Sequence, residues 1–284
     1  MIIAASARVA AAAALICAVA ATPAIAQGKS GSAPGRSKKG AAAAAAATVS
    51  PATATASTSA PSSSPNNVLY YGSWLDDASV MPRGSIWMGA STAYWKADTA
   101  HQVDAPVFMG AAGVTRRTQV GASLPIYHFN DQAGFSASGV GTVSVYGKVM
   151  LLDANAGPGL GLAVTPLIEV APGADSAFGW ALPVNVEARA ERFRVYGSAG
   201  YFSRGSIFGT AAVEVPTGRR TAVTGTLGQS HAGDSNQTSF GLSLSFSVSP
   251  TTGLFVGLGH SSAGASLENG GVSIGGGISL LVKP

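Results

Sequence analysis

Residues 180–220 read WALPVNVEARAERFRVYGSAGYFSRGSIFGTAAVEVPTGRR and alternate with a period of two. Trp180, Leu182, Val184, Val186 and Ala188 share one parity; Pro183, Asn185, Glu187 and Arg189 share the other. After Ala190-Glu191 the alternation resumes through Phe193, Val195, Gly197, Ala199 and Tyr201. After Ser203–Gly205 it resumes again through Ile207, Gly209, Ala211, Val213 and Val215. Strand-length runs of period two, broken by very short turns, specify an antiparallel meander and exclude an amphipathic helix, whose period is 3.6. The solvent of the apolar face follows from charge. Only 11% of residues are charged, where a soluble domain has about 25%. No run of about 18 apolar residues exists beyond the N-terminus, so strands rather than helices must meet the lipid.

The first 26 residues have the pattern of a secretory leader: Arg8, an apolar stretch from Val9 to Ala21, and the A-x-A site Ala24-Ile25-Ala26. The only cysteine, Cys17, lies inside it, so the mature chain is expected to carry no disulfide, thiol nucleophile or cysteine metal site. Residues 27–67 are rich in Ala, Ser, Pro, Gly and Thr, with alanine throughout Ala41–Ala47. They lack the large apolar side chains that would offset ordering entropy and read as a disordered linker. Five of the 17 basic residues precede residue 68, leaving 12 against 13 acids and a net charge of about −1 for residues 68–284. That balance excludes a nucleic-acid-binding domain, which needs clustered basic charge.

From residue 68 onward, twelve strands are expected, near 84–96, 104–114, 117–128, 139–152, 158–170, 180–189, 192–202, 206–215, 219–229, 237–249, 251–262 and 271–283. An even number suits a transmembrane antiparallel up-and-down β-barrel of the bacterial outer membrane. The intervening segments divide into long external loops (97–103, 129–138, 171–179, 230–236 and 263–270, with 203–205 short) and short periplasmic turns. Trp95, Tyr127, Trp180 and Tyr201 near one rim, with Trp87 and Phe193 near the other, read as interfacial girdles. Pro106, Pro125, Pro166 and Pro183 interrupt strands and are expected where a missing N–H is tolerated. A secreted β-sandwich shares the alternation but accounts for neither the strand lengths nor the low charge.

Pairing the meander gives candidate site residues. A two-residue turn at Ala190-Glu191 places Glu187 opposite Arg194 and Trp180 opposite Tyr201. A three-residue loop at Ser203–Gly205, glycine in its left-handed position, places Arg194 opposite Glu214. A three-residue turn at Pro216–Gly218 places Glu214 opposite Arg220. Glu187, Arg194, Glu214 and Arg220 thus form a ladder of alternating sign near the periplasmic rim. It must point into the lumen, because a basic residue facing mid-bilayer lipid costs about 2–4 kcal/mol. Two readings stay open: a polar constriction in a channel, or a self-neutralising ladder that stiffens the wall.

Other chemistry is sparse. His101, His128, His231 and His260 lack metal-ligand spacing, and no nucleophile elbow or phosphate loop occurs. No catalytic, cofactor or metal site is expected. His260 and Ser262 continue the outward parity of Leu254, Val256 and Leu258. A His-x-Ser pair at an external rim resembles that of the outer-membrane lipid A deacylases. Those enzymes have Asn after the Ser, where Ala263 stands here, and a polar strand end accounts for the pair.

The run from Gly139 to Leu152 (GVGTVSVYGKVMLL), followed by Pro158-Gly-Leu and Ala171-Pro-Gly173, resembles the pattern G-x-G-D-x-x-x-x-x-K-Y-x-L-L … P-T-G. That pattern belongs to an outer-membrane barrel family associated with the meta-pathway of phenol degradation. Gly200–Gly205 and the glycine-rich last strand are similar to members of the same group. Thr142 stands in place of the Asp and Val149 in place of the Tyr, and the chain ends Leu281-Val-Lys-Pro284 rather than in an aromatic residue. The resemblance implies a transporter of small hydrophobic or aromatic compounds. The expected function is therefore an outer-membrane channel or transporter for small molecules, with outer-membrane lipid, a small-molecule solute and the barrel-assembly machinery as partners. The alternatives are a structural or surface-interaction barrel with a plugged lumen and, last, a lipid esterase using His260 and Ser262.

Overall fold

The computed structural model describes residues 77–97, 100–132, 134–155, 159–172, 178–190, 192–203, 205–232, 235–263 and 271–283. The expected leader (1–26) and linker (27–67) lie outside the described residues. Strand segments are β1 (Ile86–Lys96), β2 (Ala100–Gly113), β3 (Thr118–Asp131), β4 (Ser136–Val140), β5 (Val143–Leu152), β6 (Leu160–Val164), β7 (Leu167–Val170), β8 (Phe178–Ala181), β9 (Val184–Arg189), β10 (Arg194–Phe202), β11 (Ser206–Pro216), β12 (Thr221–Ala232), β13 (Ser235–Ser247), β14 (Thr252–Ala263) and β15 (Gly271–Val282). All pairings are antiparallel, and β1 pairs with β15 from Ile86↔Val282 to Lys96↔Val272, which closes the sheet. Segments β4 with β5, β6 with β7 and β8 with β9 are the halves of single staves, since each couple shares a neighbouring strand. The result is the expected twelve-stranded barrel.

Proline causes the interruptions. Pro166 separates β6 from β7, Pro183 separates β8 from β9, and Pro125 faces the gap between β4 and β5. Pro106 lies in the bulge where β2 loses register with β3, between Asp104 and Val107. Each proline lacks a donor but keeps its carbonyl. Gly147 N donates to Pro166 O at 3.0 Å, Thr165 N to Pro183 O at 2.9 Å and Gly141 N to Pro125 O at 2.8 Å.

Parity sorts the two faces as the alternation demands. On β14 and β15, Leu254, Val256, Leu258, Ile274, Ile278 and Leu280 are 42–54% exposed, while Phe255, Ser261, Ser273, Ser279 and Leu281 are buried inside. Val120, Leu124, Phe240, Leu242, Leu244 and Phe246 continue the exposed belt. An apolar band around a closed barrel is a lipid-facing surface.

Two expectations fail. The connections do not divide into long and short sets. At the proximal rim, where the chain reaches β1, residues 114–117, 153–159, 190–193, 217–220 and 248–251 join strands. At the distal rim the strands end on either side of 97–99, 132–135, 171–177, 203–205, 233–234 and 264–270, of which 98–99, 133, 173–177, 204, 233–234 and 264–270 lie outside the described residues. The polar segments read as external loops are mostly strand ends: Ala100–Val103 pairs with His128–Asp131, and Ser230–Ala232 with Ser235–Gln237. A ladder satisfies the backbone whatever the side chains, so staves continue past the apolar belt. The girdle assignment also fails in part. Trp180 and Tyr201 do face outward with ring centroids 6.1 Å apart, but Trp87, Trp95 and Tyr127 turn into the lumen. Trp95 Nε1 donates to Ser261 Oγ at 3.5 Å. Its indole lies where a Cβ on Gly271 would be 2.1 Å from Nε1, so the bare backbone there makes the inward position possible.

Residues 77–85, read simply as the start of the barrel domain, form a strap across the proximal mouth. Asp77, Ala78 and Met81 are at most 2% exposed. Met81 packs in an interior apolar cluster with Trp87, Ala111, Tyr146, Leu167, Ala181 and Leu281. The wall is shaped for the strap: a Cβ on Gly113 would stand 2.1 Å from the Pro82 carbonyl oxygen.

Candidate functional site: a charged constriction under the strap

Inward parity on β5 brings Lys148 into the lumen beside Ser144, Tyr146 and Met150. On β9 it brings Asn185, Glu187 and Arg189, on β10 Arg194, Tyr196 and Ser198, and on β11 Glu214. These side chains converge on the strap. Lys148 Nζ donates to the Asp77 carboxylate at 2.8 Å and to the Asp77 carbonyl at 2.9 Å. Arg194 donates in a fork to Glu214, Nε to Oε1 at 2.9 Å and Nη2 to Oε2 at 3.0 Å. Its Nη1 lies 3.4 Å from Asp77 Oδ2 and 3.5 Å from Glu187 Oε1, and its guanidinium carbon is 4.6 Å from the centre of the Tyr196 ring. Glu187 accepts from Arg189 Nε at 2.5 Å and from Ser79 Oγ at 2.8 Å, and Arg189 Nη2 donates to Ser79 Oγ at 2.8 Å.

Lys148, Glu187, Arg194 and Glu214 are each at most 5% exposed. Charges this far from water persist only when paired and hydrogen-bonded, and the network supplies both. A second polar set supports the strap: Gln119 Oε1 accepts from Met81 N at 2.9 Å, and Gln119 Nε2 donates to Tyr146 Oη at 2.8 Å. Among the described residues, no backbone–backbone hydrogen bond joins residues 77–81 to the wall. Side chains alone fasten this part of the strap.

Of the three pairings in the predicted ladder, one is present. Arg194 is directly opposite Glu214, and the Ser203–Gly205 loop is present with Gly205 at φ +85°. Glu187 is not opposite Arg194. Arg189 takes that place, and Glu187 faces Tyr196. The turn is centred one residue later than expected, with Ala190 N bonded to Phe193 O at 2.9 Å. For a given residue the partner moves by two positions, which preserves the face, so Glu187 still points inward and meets Arg194 diagonally. The same slip makes Trp180 and Tyr201 diagonal neighbours rather than a direct pair. Arg220 leaves the ladder altogether: Glu214 faces Thr224, and Arg220 is exposed in the turn. Thr217 and Thr221 close that turn through Thr217 N to Thr221 O at 3.0 Å, lengthening it beyond the predicted Pro216–Gly218.

Pairing arithmetic missed Asp77, Ser79, Lys148 and Arg189. One signal was available. Lys148 has inward parity in a strand with no acid opposite, and a buried lysine needs one. The acid lies on the strap, which has no periodicity to announce it. His260 and Ser262 share a strand parity, with His260 half-buried between Phe240 and Val272, but Ser262 is buried rather than open to the outside. Ser262 Oγ donates to Thr238 O at 3.5 Å, and no hydrogen bond links the pair among the described residues.

No protein-family model matches the sequence, and no curated protein sequence does. In fold the chain is similar to an outer membrane channel from Pseudomonas putida F1, with a TM-score of 0.56 and 14% identity over 72% of this chain and 98% of that one. It is also similar to the NanC porin, with a TM-score of 0.51 and 9% identity over 68% of this chain and 98% of the porin.

Proposed function

We propose that this protein is an outer-membrane channel for small molecules whose periplasmic mouth is closed by residues 77–85. The observation that carries this reading is the strap itself: it buries Asp77, Ala78 and Met81 inside a closed barrel and is fastened over residues 77–81 by side-chain bonds to Lys148, Arg189, Arg194 and Gln119. Residues 77–81 can leave without breaking a ladder, while Gly84 and Ser85 stay bonded through their backbone to Gly113. Glu187, Arg194 and Glu214 form the constriction it rests on; Arg220 has no part in it. The shared fold with an outer membrane channel and a porin supports the channel class. The lumenal aromatics Trp87, Trp95, Tyr146, Phe202 and Phe208 suit small hydrophobic or aromatic solutes, in line with the phenol-degradation resemblance carried by Gly139–Leu152. Export by the leader at 1–26 and folding by the barrel-assembly machinery belong to this reading.

The buried strap also favours a second reading, a permanently plugged barrel with a structural role. Planar-bilayer recording and solute-driven vesicle swelling separate the two. The channel reading expects current and uptake with the intact chain, both rising when residues 77–82 are deleted. Silence in both forms would sink it.

A further inference from the structure

Among the described residues, Asp77 is the one acid in the constriction that the barrel wall does not supply. Around it the wall contributes Lys148, Arg189 and Arg194 against Glu187 and Glu214, one positive charge in excess. That excess is local. Glu214 is bound by Arg194 and Glu187 by Arg189, whereas Lys148, 1% exposed, has no acidic partner except Asp77 among the described residues. A buried ammonium without a counter-charge is strongly disfavoured. The strap therefore leaves most readily when another anion takes the place of its carboxylate.

We propose that Lys148 and Arg194 form a carboxylate-binding site, occupied by Asp77 while the mouth is closed and contested by a small organic carboxylate as the strap moves aside. The Asp77 oxygens mark where the solute carboxylate would lie, 2.8 Å from Lys148 Nζ and 3.4 Å from Arg194 Nη1. Tyr146, two residues before Lys148 on the same face, packs in the cluster that Met81 of the strap completes, so a strap that moves aside uncovers an aromatic surface for the body of such a solute. Asp104 and Glu169 line the lumen toward the distal rim, so the site is local recognition rather than an anion filter along the whole pore. Competition couples binding to opening: a solute that needs the strap displaced shifts the population of open mouths by its preference for them.

The meaning for transport rests on the channel reading, but the binding does not, and binding is what the test measures. The full barrel, refolded in detergent micelles and checked by its heat-dependent gel migration, is titrated calorimetrically with benzoate and with benzamide, its neutral isostere. Asp77→Ala should bind benzoate about tenfold more tightly than the unaltered chain, because the tethered competitor is gone. Asp77→Asn, which keeps the shape of the strap without its charge, should do the same and serves if the alanine variant does not fold. Lys148→Met should abolish benzoate binding in either background, and benzamide should not distinguish the variants. Equal benzoate affinity with and without the Asp77 charge, retention in Lys148→Met, equal binding of benzamide, or no binding in any variant would each overturn the site. Bilayer current is read separately. Current without benzoate binding leaves the channel standing and removes the site; binding without current does the reverse.

Discussion

Removing Arg194 should destabilise the barrel more than removing Glu214, although the two form one ion pair. Glu214→Gln leaves the guanidinium with Asp77 at 3.4 Å, Glu187 at 3.5 Å and the Tyr196 ring at 4.6 Å. The loss should lie near 3 kcal/mol, roughly the lower bound for breaking a buried pair. Arg194→Met strands Glu214, 1% exposed and hydrogen-bonded only by Arg194 among the described residues, and leaves Asp77 with Lys148 alone. That loss should approach about 5 kcal/mol. The double variant Arg194→Met/Glu214→Leu removes both charges and should be more stable than Arg194→Met alone. The assay is urea unfolding of the barrel in phospholipid vesicles, followed by tryptophan fluorescence and heat-dependent gel migration and analysed as a double-mutant cycle. If both single variants stay within about 0.5 kcal/mol of the parent, as exposed pairs do, or if the double variant is worse than Arg194→Met, the buried-network account is wrong.

Three further outcomes are expected. Leu242→Arg, on the exposed apolar belt at mid-strand, should cost about 2–4 kcal/mol in the same vesicles, and an unchanged midpoint would place that residue outside the lipid core. Gly113→Ala forces a Cβ to within 2.1 Å of the Pro82 carbonyl oxygen and should loosen the strap, raising bilayer current without unfolding the barrel; unchanged current would show that the strap adjusts in place. Trp180→Ala removes the aromatic contact with Tyr201 and should lose roughly 0.5–1.5 kcal/mol beyond its apolar area, measured as coupling between Trp180→Ala and Tyr201→Ala; zero coupling would deny the diagonal register.

The barrel was legible in the sequence because a half-lipid, half-lumen strand has to alternate. The expected run 271–283 differs from Gly271–Val282 by a single residue. Faces were more legible than partners. Parity survives a two-residue slip, so Glu187 was placed inward correctly even though its partner is Tyr196. The slip arose in turns, where Thr217 and Thr221 or Ala190 and Phe193 choose the closing bond and no periodicity records the choice. Arg220 was lost from the ladder for that reason. Strand ends at the distal rim were hidden because His101, Asn130 and Asn236 look like loop residues, while the ladder they join is made by backbone. The strap was hidden most deeply. Residues 77–81 take their structure from Lys148, Gln119 and Arg189, which lie 38 to 110 residues away in the chain.

The claim that the strap closes a channel can be tested by tying it down. A Cβ on Gly161 would lie 3.1 Å from the Ala78 Cβ, a few tenths of an ångström inside the roughly 3.5–4.5 Å of a disulfide, so a small outward shift of the strap brings the pair into bonding range. The only native cysteine is Cys17, so Ala78→Cys/Gly161→Cys offers one defined cross-link in a chain expressed from residue 27. Bilayer current through this variant should be absent when oxidised and should appear on adding a reductant. Equal current in the two redox states would contradict closure by the strap, and silence in both, with a silent parent, would contradict the channel.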